Sequence, residues 1–482
     1  MAKSLKKNYI YNVIYQILLL VVPLITTPYV SRVLSVDGIG LYSYANSIVS
    51  YFVLVATLGT TTFGQRQISY NHDNKEELSR AFWELFIFRT LTSAFTLAVY
   101  FVIFTIVYQE NQLIYLIFSL NIINVIFDIS WFFQGLEEFG KTVLRNIIFK
   151  ILSVVAIFVF VRTQNDLWLY VLFMIAFTVL GNLTMWLYLP KYLCKVKGIR
   201  PFRDTKSIIQ FFIPTVATQI YTVLDKSMIG WFTDGTTENG YYEQAEKISK
   251  IALAVVTSLG TVMIPRISKV FKDGNIEKVR YYLYKSYRFV WMLSIPIMFG
   301  LVAISDIFVP VFLGDGYEKC EILIPIFSLL TIIIGLSNVN GMQLFVPTGR
   351  QNILTLTVVV GAIVNIIFNL ILIPLFASIG ACIASVIAEF CVTLVGFIYI
   401  KVKDKMPISP IFKSSIKYWI AGTVMFGALI GLKFVLDSNI IGLVISIISG
   451  ILIYFILLFI MKDSFLYEIC RKALHRKTDN IL

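Results

Sequence analysis

The sequence predicts an all-α integral membrane protein of about fourteen transmembrane helices, arranged as two pseudo-symmetric six-helix lobes and a C-terminal helix pair. Three observations carry this. The 482 residues are 58% hydrophobic and 14% charged, with a mean hydropathy of +0.80, whereas a soluble domain carries about a quarter charged residues. The apolar residues come in runs of roughly twenty, the length a helix needs to cross ~30 Å of hydrocarbon. Part of the pattern also recurs two hundred residues further on.

In hydrocarbon every backbone polar group needs a partner within the chain, so only helices or closed barrels span. Barrel strands would be shorter and would alternate. The runs fall at 8–31, 41–63, 83–108, 113–135, 144–162, 168–189, 208–232, 241–264, 286–312, 321–345, 353–375, 379–400, 414–436 and 440–461. The first is too long for the apolar core of a signal peptide and lacks a small-residue cleavage site. It is expected to be the first span.

The charge pattern gives orientation. With the N-terminus in the cytoplasm, only Arg32 and Lys319 of the 41 Lys and Arg fall on outer loops, and most of the others fall on inner segments. The positive-inside rule predicts such a bias. Both termini are expected on the cytoplasmic side of the membrane. Topology then accounts for most of the net charge of +13, and no nucleic-acid partner is needed. Five cysteines show no metal-ligand spacing or disulfide framework. Two histidines exclude a histidine-rich metal site. No cofactor is expected. The longest outer loop, 32–40, is too small to build an enzyme's site on the outer face.

The repeat begins at Gly40, in GLYSYANSIVS, and at Gly240, in GYYEQAEKISK. Tyr42/Tyr242, Ala45/Ala245 and Ile48/Ile248 also agree. Both spans then read LGT, at 58–60 and 259–261, and leave the membrane at Arg66 and Arg266. The fourth and tenth spans end alike, in Phe139-Gly140-Lys141 and Thr348-Gly349-Arg350. Spans 1–6 thus match spans 7–12 in the same orientation, and substrate sites in such transporters lie between the halves. The expected domains are 1–200, 201–405, and 406–482 with a basic cytoplasmic tail. Prolines 23, 28, 214, 296 and 374 interrupt spans and offer bends. Ala377, Ala381 and Ser385 form a small-residue stripe suited to close helix packing.

Ionisable groups inside spans usually face a wet interior. On span 8, Glu243, Glu246, Lys247 and Lys250 share one helical face. The matching span-2 positions are Ser43, Asn46, Ser47 and Ser50. On span 7, Thr215, Gln219, Thr222 and Lys226 share a face, with Asp225 beside Lys226. One reading is a hydrophilic cavity between the halves that holds an anionic or sugar-bearing substrate. The other is an interfacial turn with local ion pairs. Arg66, Arg266, Lys141 and Arg350 lie at the cytoplasmic ends of repeat-related helices. There they either meet a phosphate at the cavity's mouth or anchor topology. Arg89, early in span 3, reads as snorkelling to the cytoplasm. Asp128, Trp131 and Gln134 share a face of span 4.

Several segments resemble the bacterial polysaccharide flippases of the Wzx type. They are Pro28-Tyr-Val-Ser-Arg32-Val-Leu, Gly38-Ile-Gly-Leu-Tyr-Ser-Tyr-Ala45, Tyr221-Thr-Val-Leu-Asp225-Lys226-Ser-Met-Ile-Gly230, Gly240-Tyr-Tyr-Glu-Gln-Ala-Glu-Lys-Ile248, Met263-Ile-Pro-Arg266-Ile-Ser268 and Ile379-Gly-Ala381. They run in order through nearly the whole chain. The resemblance implies the polysaccharide transporter family of the multidrug/oligosaccharidyl-lipid/polysaccharide exporter superfamily. It implies two six-helix lobes opening alternately to each side. It also implies transport of an undecaprenyl-diphosphate-linked oligosaccharide to the outer leaflet, for capsule, O-antigen or exopolysaccharide, within membrane lipid. Polymerase and chain-length components of the same pathway would be further partners. By position, Arg32, Lys226, Lys247 and Lys250 are the candidate cationic contacts, with Asp225, Glu246, Asn46 and Gln219 in the same cavity. The extra helix pair resembles that of the lipid II flippases, where it forms a groove for the lipid tail.

Three alternatives compete: a lipid II-type flippase, a cation-coupled multidrug exporter of the same fold, and a membrane polysaccharide polymerase or ligase. Exporters of that kind rely on buried acids, whereas buried basic residues are at least as prominent here. The short outer loops disfavour the polymerase. No P-loop is present, so ATP is not the direct energy source.

Overall fold

The computed structural model describes the backbone of residues 2–107 and 110–478. Side chains are described for these except 2–13, 107, 139, 213–214, 217–218, 220–221, 261–262 and 472–478. The side chains of Phe139, Pro214, Tyr221 and Thr261, and most of the basic tail, therefore lie outside the described residues. Among the described residues helices are the only regular secondary structure, with no strand.

The chain forms two compact units, Met1–Gly240 and Tyr241–Leu482. The first holds α1 (Ala2–Thr57), α2 (Thr60–Tyr70), α3 (Lys75–Val102), α4 (Gln112–Phe127), α5 (Ser130–Gly135), α6 (Phe139–Phe160), α7 (Leu167–Trp186) and α8 (Thr205–Phe232). The second holds most of α9 (Thr237–Lys272), then α10 (Ile276–Phe312), α11 (Cys320–Asn338), α12 (Gln351–Val402), α13 (Ser409–Lys413), α14 (Ile416–Lys433), α15 (Ile440–Ile460) and α16 (Ser464–Thr478). Large apolar side chains point outwards as well as inwards. Phe95 is 70% exposed and Ile460 66%. Such a surface is stable only against lipid, and this is a multi-pass membrane protein.

Among the described residues, eleven helical segments are long and apolar enough to cross a membrane. Two of them, one running through α1 and α2 and one in α12, are more than fifty residues long, and each carries two of the predicted spans. The predicted 32–40 loop is a corner: only Ser35 leaves the helical region, at φ 58°. Ala377, at φ 51°, makes the second corner three residues after Pro374. A one-residue corner leaves few backbone groups unpaired, which suits a span end. Each such residue costs about 1–3 kcal/mol of local strain.

The LGT repeats fold differently. In the first unit Leu58 and Gly59 take positive φ and divide α1 from α2. A Cβ on Gly59 would lie 2.7 Å from the Phe212 nitrogen of α8. In the second unit Gly260 stays inside the unbroken α9, facing Asn338.

The sharpest packing constraint joins two repeat-related glycines within the first unit. A Cβ on Gly40 would stand 1.8 Å from the Thr236 carbonyl oxygen, and one on Gly240 2.1 Å from the Val36 carbonyl oxygen. Residues 36 and 236, like 40 and 240, are related by the repeat, so the contact is reciprocal. Asp37 accepts a hydrogen bond from Thr237 beside it. Gly40→Ala and Gly240→Ala should each destabilise the protein by about 1–3 kcal/mol or more, because backbone must move. Gly427→Ala, which meets nothing within 4 Å, should be close to neutral. Thermal unfolding of the purified variants checks both.

Candidate functional site

The first unit holds a partly open, mixed polar and apolar cavity of about 290 Å³. Amide side chains line it: Asn46 of α1, Asn121 and Asn124 of α4, and Gln219 of α8. Ser50, Thr57 and Thr61 add hydroxyls. Ser50 donates back to the Asn46 carbonyl oxygen at 2.7 Å, leaving its own lone pairs toward the lining. Asn182 of α7 donates to Asn124 at 2.7 Å, which fixes that amide from behind. The lining is rich in uncharged donors and acceptors, the groups that replace water around hydroxylated solutes.

The cavity also holds an ion pair. Arg89 of α3 is 2% exposed, and its Nη2 lies 3.8 Å from Asp128 Oδ2. Asp128 sits where span 4 breaks: α4 ends at Phe127 and α5 starts at Ser130. Its Oδ1 accepts from the Ser130 backbone nitrogen at 3.0 Å and from the Ser130 hydroxyl. The snorkelling expected of Arg89 is corrected. Arg89 lies nine residues beyond Arg80, about 13 Å along a helix rising ~1.5 Å per residue. Phe82 and Phe86 occupy the same helix face between them. Phe82 stacks on Trp131 and Phe86 packs on Trp186. These rings close the route to the basic end.

Of the residues singled out by sequence, Asn46 and Gln219 are brought together in this cavity. The rest of the polar face on α1 divides. Ser43 and Ser47 are buried, and Ser227 of α8 donates to Ser47 at 3.0 Å and to Tyr51 at 3.1 Å. That part of the face is a helix–helix seam. Asp225 is buried and Lys226 is half-buried. The Lys226 carbonyl oxygen accepts from Asn239 at 2.6 Å. Arg32 is exposed and donates to the Pro28 carbonyl oxygen at 3.2 Å. In the second unit the four charges of α9 form two pairs, Glu243–Lys247 at 3.6 Å and Glu246–Lys250 at 2.7 Å. Glu243 is buried, whereas the Lys250 side chain is 61% exposed.

The four basic residues at helix ends differ. The Arg66 guanidinium lies 4.7 Å from the Phe211 ring centre, and Arg266 is exposed. Lys141 pairs with Glu138 and Tyr192, which also bond each other. Burial and the Glu138 carboxylate hold the Tyr192 phenol above its ordinary range. Arg350 pairs with Asp404 and lies 6.0 Å from the Tyr399 ring centre. In each unit, then, the residue after the repeated glycine fastens the chain that follows span 6 or span 12. The second unit also carries an apolar groove of about 360 Å³ between α10, α14 and α15, lined by Pro296, Gly300, Ile304, Met425, Gly450 and Phe455.

Residues 5–271 match the polysaccharide biosynthesis protein family. The chain belongs to that family. This bears out the resemblance to the Wzx-type flippases read from the sequence. A protein of Escherichia coli (strain K12) named as an O-antigen transporter is 23% identical over 407 residues, covering 83% of this chain and 97% of that protein. Among solved structures, the lipid II flippase MurJ in an inward closed conformation aligns with a TM-score of 0.72 at 17% identity, covering 95% of this chain and 99% of that one. An inward-facing multidrug resistance MATE transporter aligns at 0.56 and 14% identity, over 82% and 99%. These two likenesses show the fold.

Sequence reasoning missed Arg89 as a cavity residue. The signal was there: Arg89 is the sole Asp, Glu, Lys or Arg between Glu84 and Glu110. Arg350→Ala should lower stability by about 1 kcal/mol, as expected for a pair whose side chains are about a quarter exposed, and Asp404→Asn should do the same. A double-mutant cycle on thermal unfolding should give a positive coupling energy. Additive effects would remove the fastening role.

Proposed function

We propose that this chain carries undecaprenyl-diphosphate-linked oligosaccharide repeat units from the cytoplasmic to the outer leaflet of the bacterial inner membrane by alternating access. The observation that carries the reading is chemical. One chain holds both a cavity of amides and hydroxyls and a hydrocarbon-lined groove. An amphiphile with a hydroxyl-rich head and a long apolar tail needs both. Uncatalysed passage would strip hydroxyls and charges of water with nothing in return. Asn46 and Gln219 would bond sugar hydroxyls. Arg32, Lys226, Lys247 and Lys250 would meet the diphosphate, with Asp225 and Glu246 holding lysines in place. Family membership and the likeness to an O-antigen transporter support the same class of substrate. Both termini would face the cytoplasm, and polymerase and chain-length components would act on the exported units.

Cells lacking the chain should accumulate lipid-linked repeat units and lose surface polysaccharide. The wild-type chain should restore both. Lys226→Ala with Lys250→Ala should not, at equal protein amount in the membrane. Normal lipid intermediates in the deletion strain would overturn the function, and full polymer in the double variant would overturn the lysine assignment.

A further inference from the structure

The ion pair in the cavity is incomplete. Arg89 Nε and Nη1 are buried and have no hydrogen-bond partner among the described residues. Its Nη2 is 3.8 Å from Asp128, beyond hydrogen-bond range. Asp128 meanwhile spends its Oδ1 on Ser130. A buried guanidinium without bonded partners is expensive, and such groups are retained where something else completes them. Arg145 of α6 adds to the imbalance. Its buried Nη1 is likewise unpartnered among the described residues, while its Nε and Nη2 donate to Asn146. The nearby amides of Asn46, Asn121 and Gln219 can turn their NH₂ groups inward. The volume is about ten times the ~30 Å³ share of one water, enough for a polyatomic anion and solvent.

We propose that the first unit contains a buried site for a phosphoryl oxyanion, bound by the guanidinium of Arg89 in competition with Asp128. Both edges of the Arg89 fork include an unpartnered nitrogen, and a fork matches two oxygens of a tetrahedral oxyanion better than it matches a spherical halide. Asp128 keeps the charge compensated when the site is empty. The inference draws on the flippase reading only for the source of the anion. The phosphoryl group belongs either to the lipid-linked substrate or to free phosphate.

The test uses the full chain in phosphatidylcholine nanodiscs, titrated with inorganic pyrophosphate, phosphate and chloride at constant ionic strength and followed by thermal stability and calorimetry. Pyrophosphate should bind and stabilise, and chloride should not. Arg89→Gln should weaken pyrophosphate binding about tenfold or more, the scale of a lost charge-assisted bond. Asp128→Asn should tighten it, because the competing anion is gone. Equal binding by Arg89→Gln and wild type, or equal effects of chloride and pyrophosphate, overturns the site. Where Arg89→Gln does not fold, Asp128→Asn decides: unchanged or weaker binding overturns it. Undecaprenyl diphosphate doped into the discs should raise the apparent Kd for pyrophosphate if the substrate supplies the anion, and leave it unchanged if free phosphate does. Both results uphold the site. Normal lipid intermediates in a deletion strain would remove the flippase reading without touching this binding result.

Discussion

Hydrocarbon offers no hydrogen bonds, and almost every feature of the chain answers that fact. It leaves the helix as the local structure and lets apolar side chains face outward. It shortens connections, so the predicted 32–40 loop contracts to a corner at Ser35 and spans 11 and 12 join at Ala377. It also makes every polar group within the bundle expensive. Those that remain either bond one another, as Asn182 and Asn124 do, or line a space for something else.

That sorting explains which polar residues became a seam and which a cavity. Ser43, Asn46, Ser47 and Ser50 look alike as a sequence pattern. Two of them close against α8 through Ser227 or lie buried, and two face the cavity. The charges of α9 likewise pair along their own helix. Sequence spacing shows that such a face is polar. It does not show what packs against it, because that depends on a neighbouring helix far away in the chain.

The helical membrane spans were legible because each rests on a local pattern of about twenty residues. Asn46 and Gln219 were legible as polar positions within spans for the same reason, although the cavity they line lies inside the first unit and not between the two units. Arg89 was misread because its surroundings come from other elements. The aromatic rings of Trp131 and Trp186 seal one side, and Asp128 is delivered by a break in α4 that no proline or glycine announces. Lys141 and Arg350 were legible as a repeated pair, but their partners Tyr192 and Asp404 lie fifty or so residues on. The LGT motif shows the reverse limit. The same three letters break one helix and leave the other whole, because only Gly59 meets the backbone of a crossing helix.

The reciprocal contact of Gly40 and Gly240 has a historical side. A contact unchanged when its partners are exchanged is what two identical chains make about a two-fold axis. In a single chain the two copies can drift, yet here each glycine stands against the other copy's carbonyl oxygen. A side chain gained at either position would be felt at both. The pair is therefore expected to change together or not at all among descendants of the duplication, long after the surrounding helices have lost their likeness.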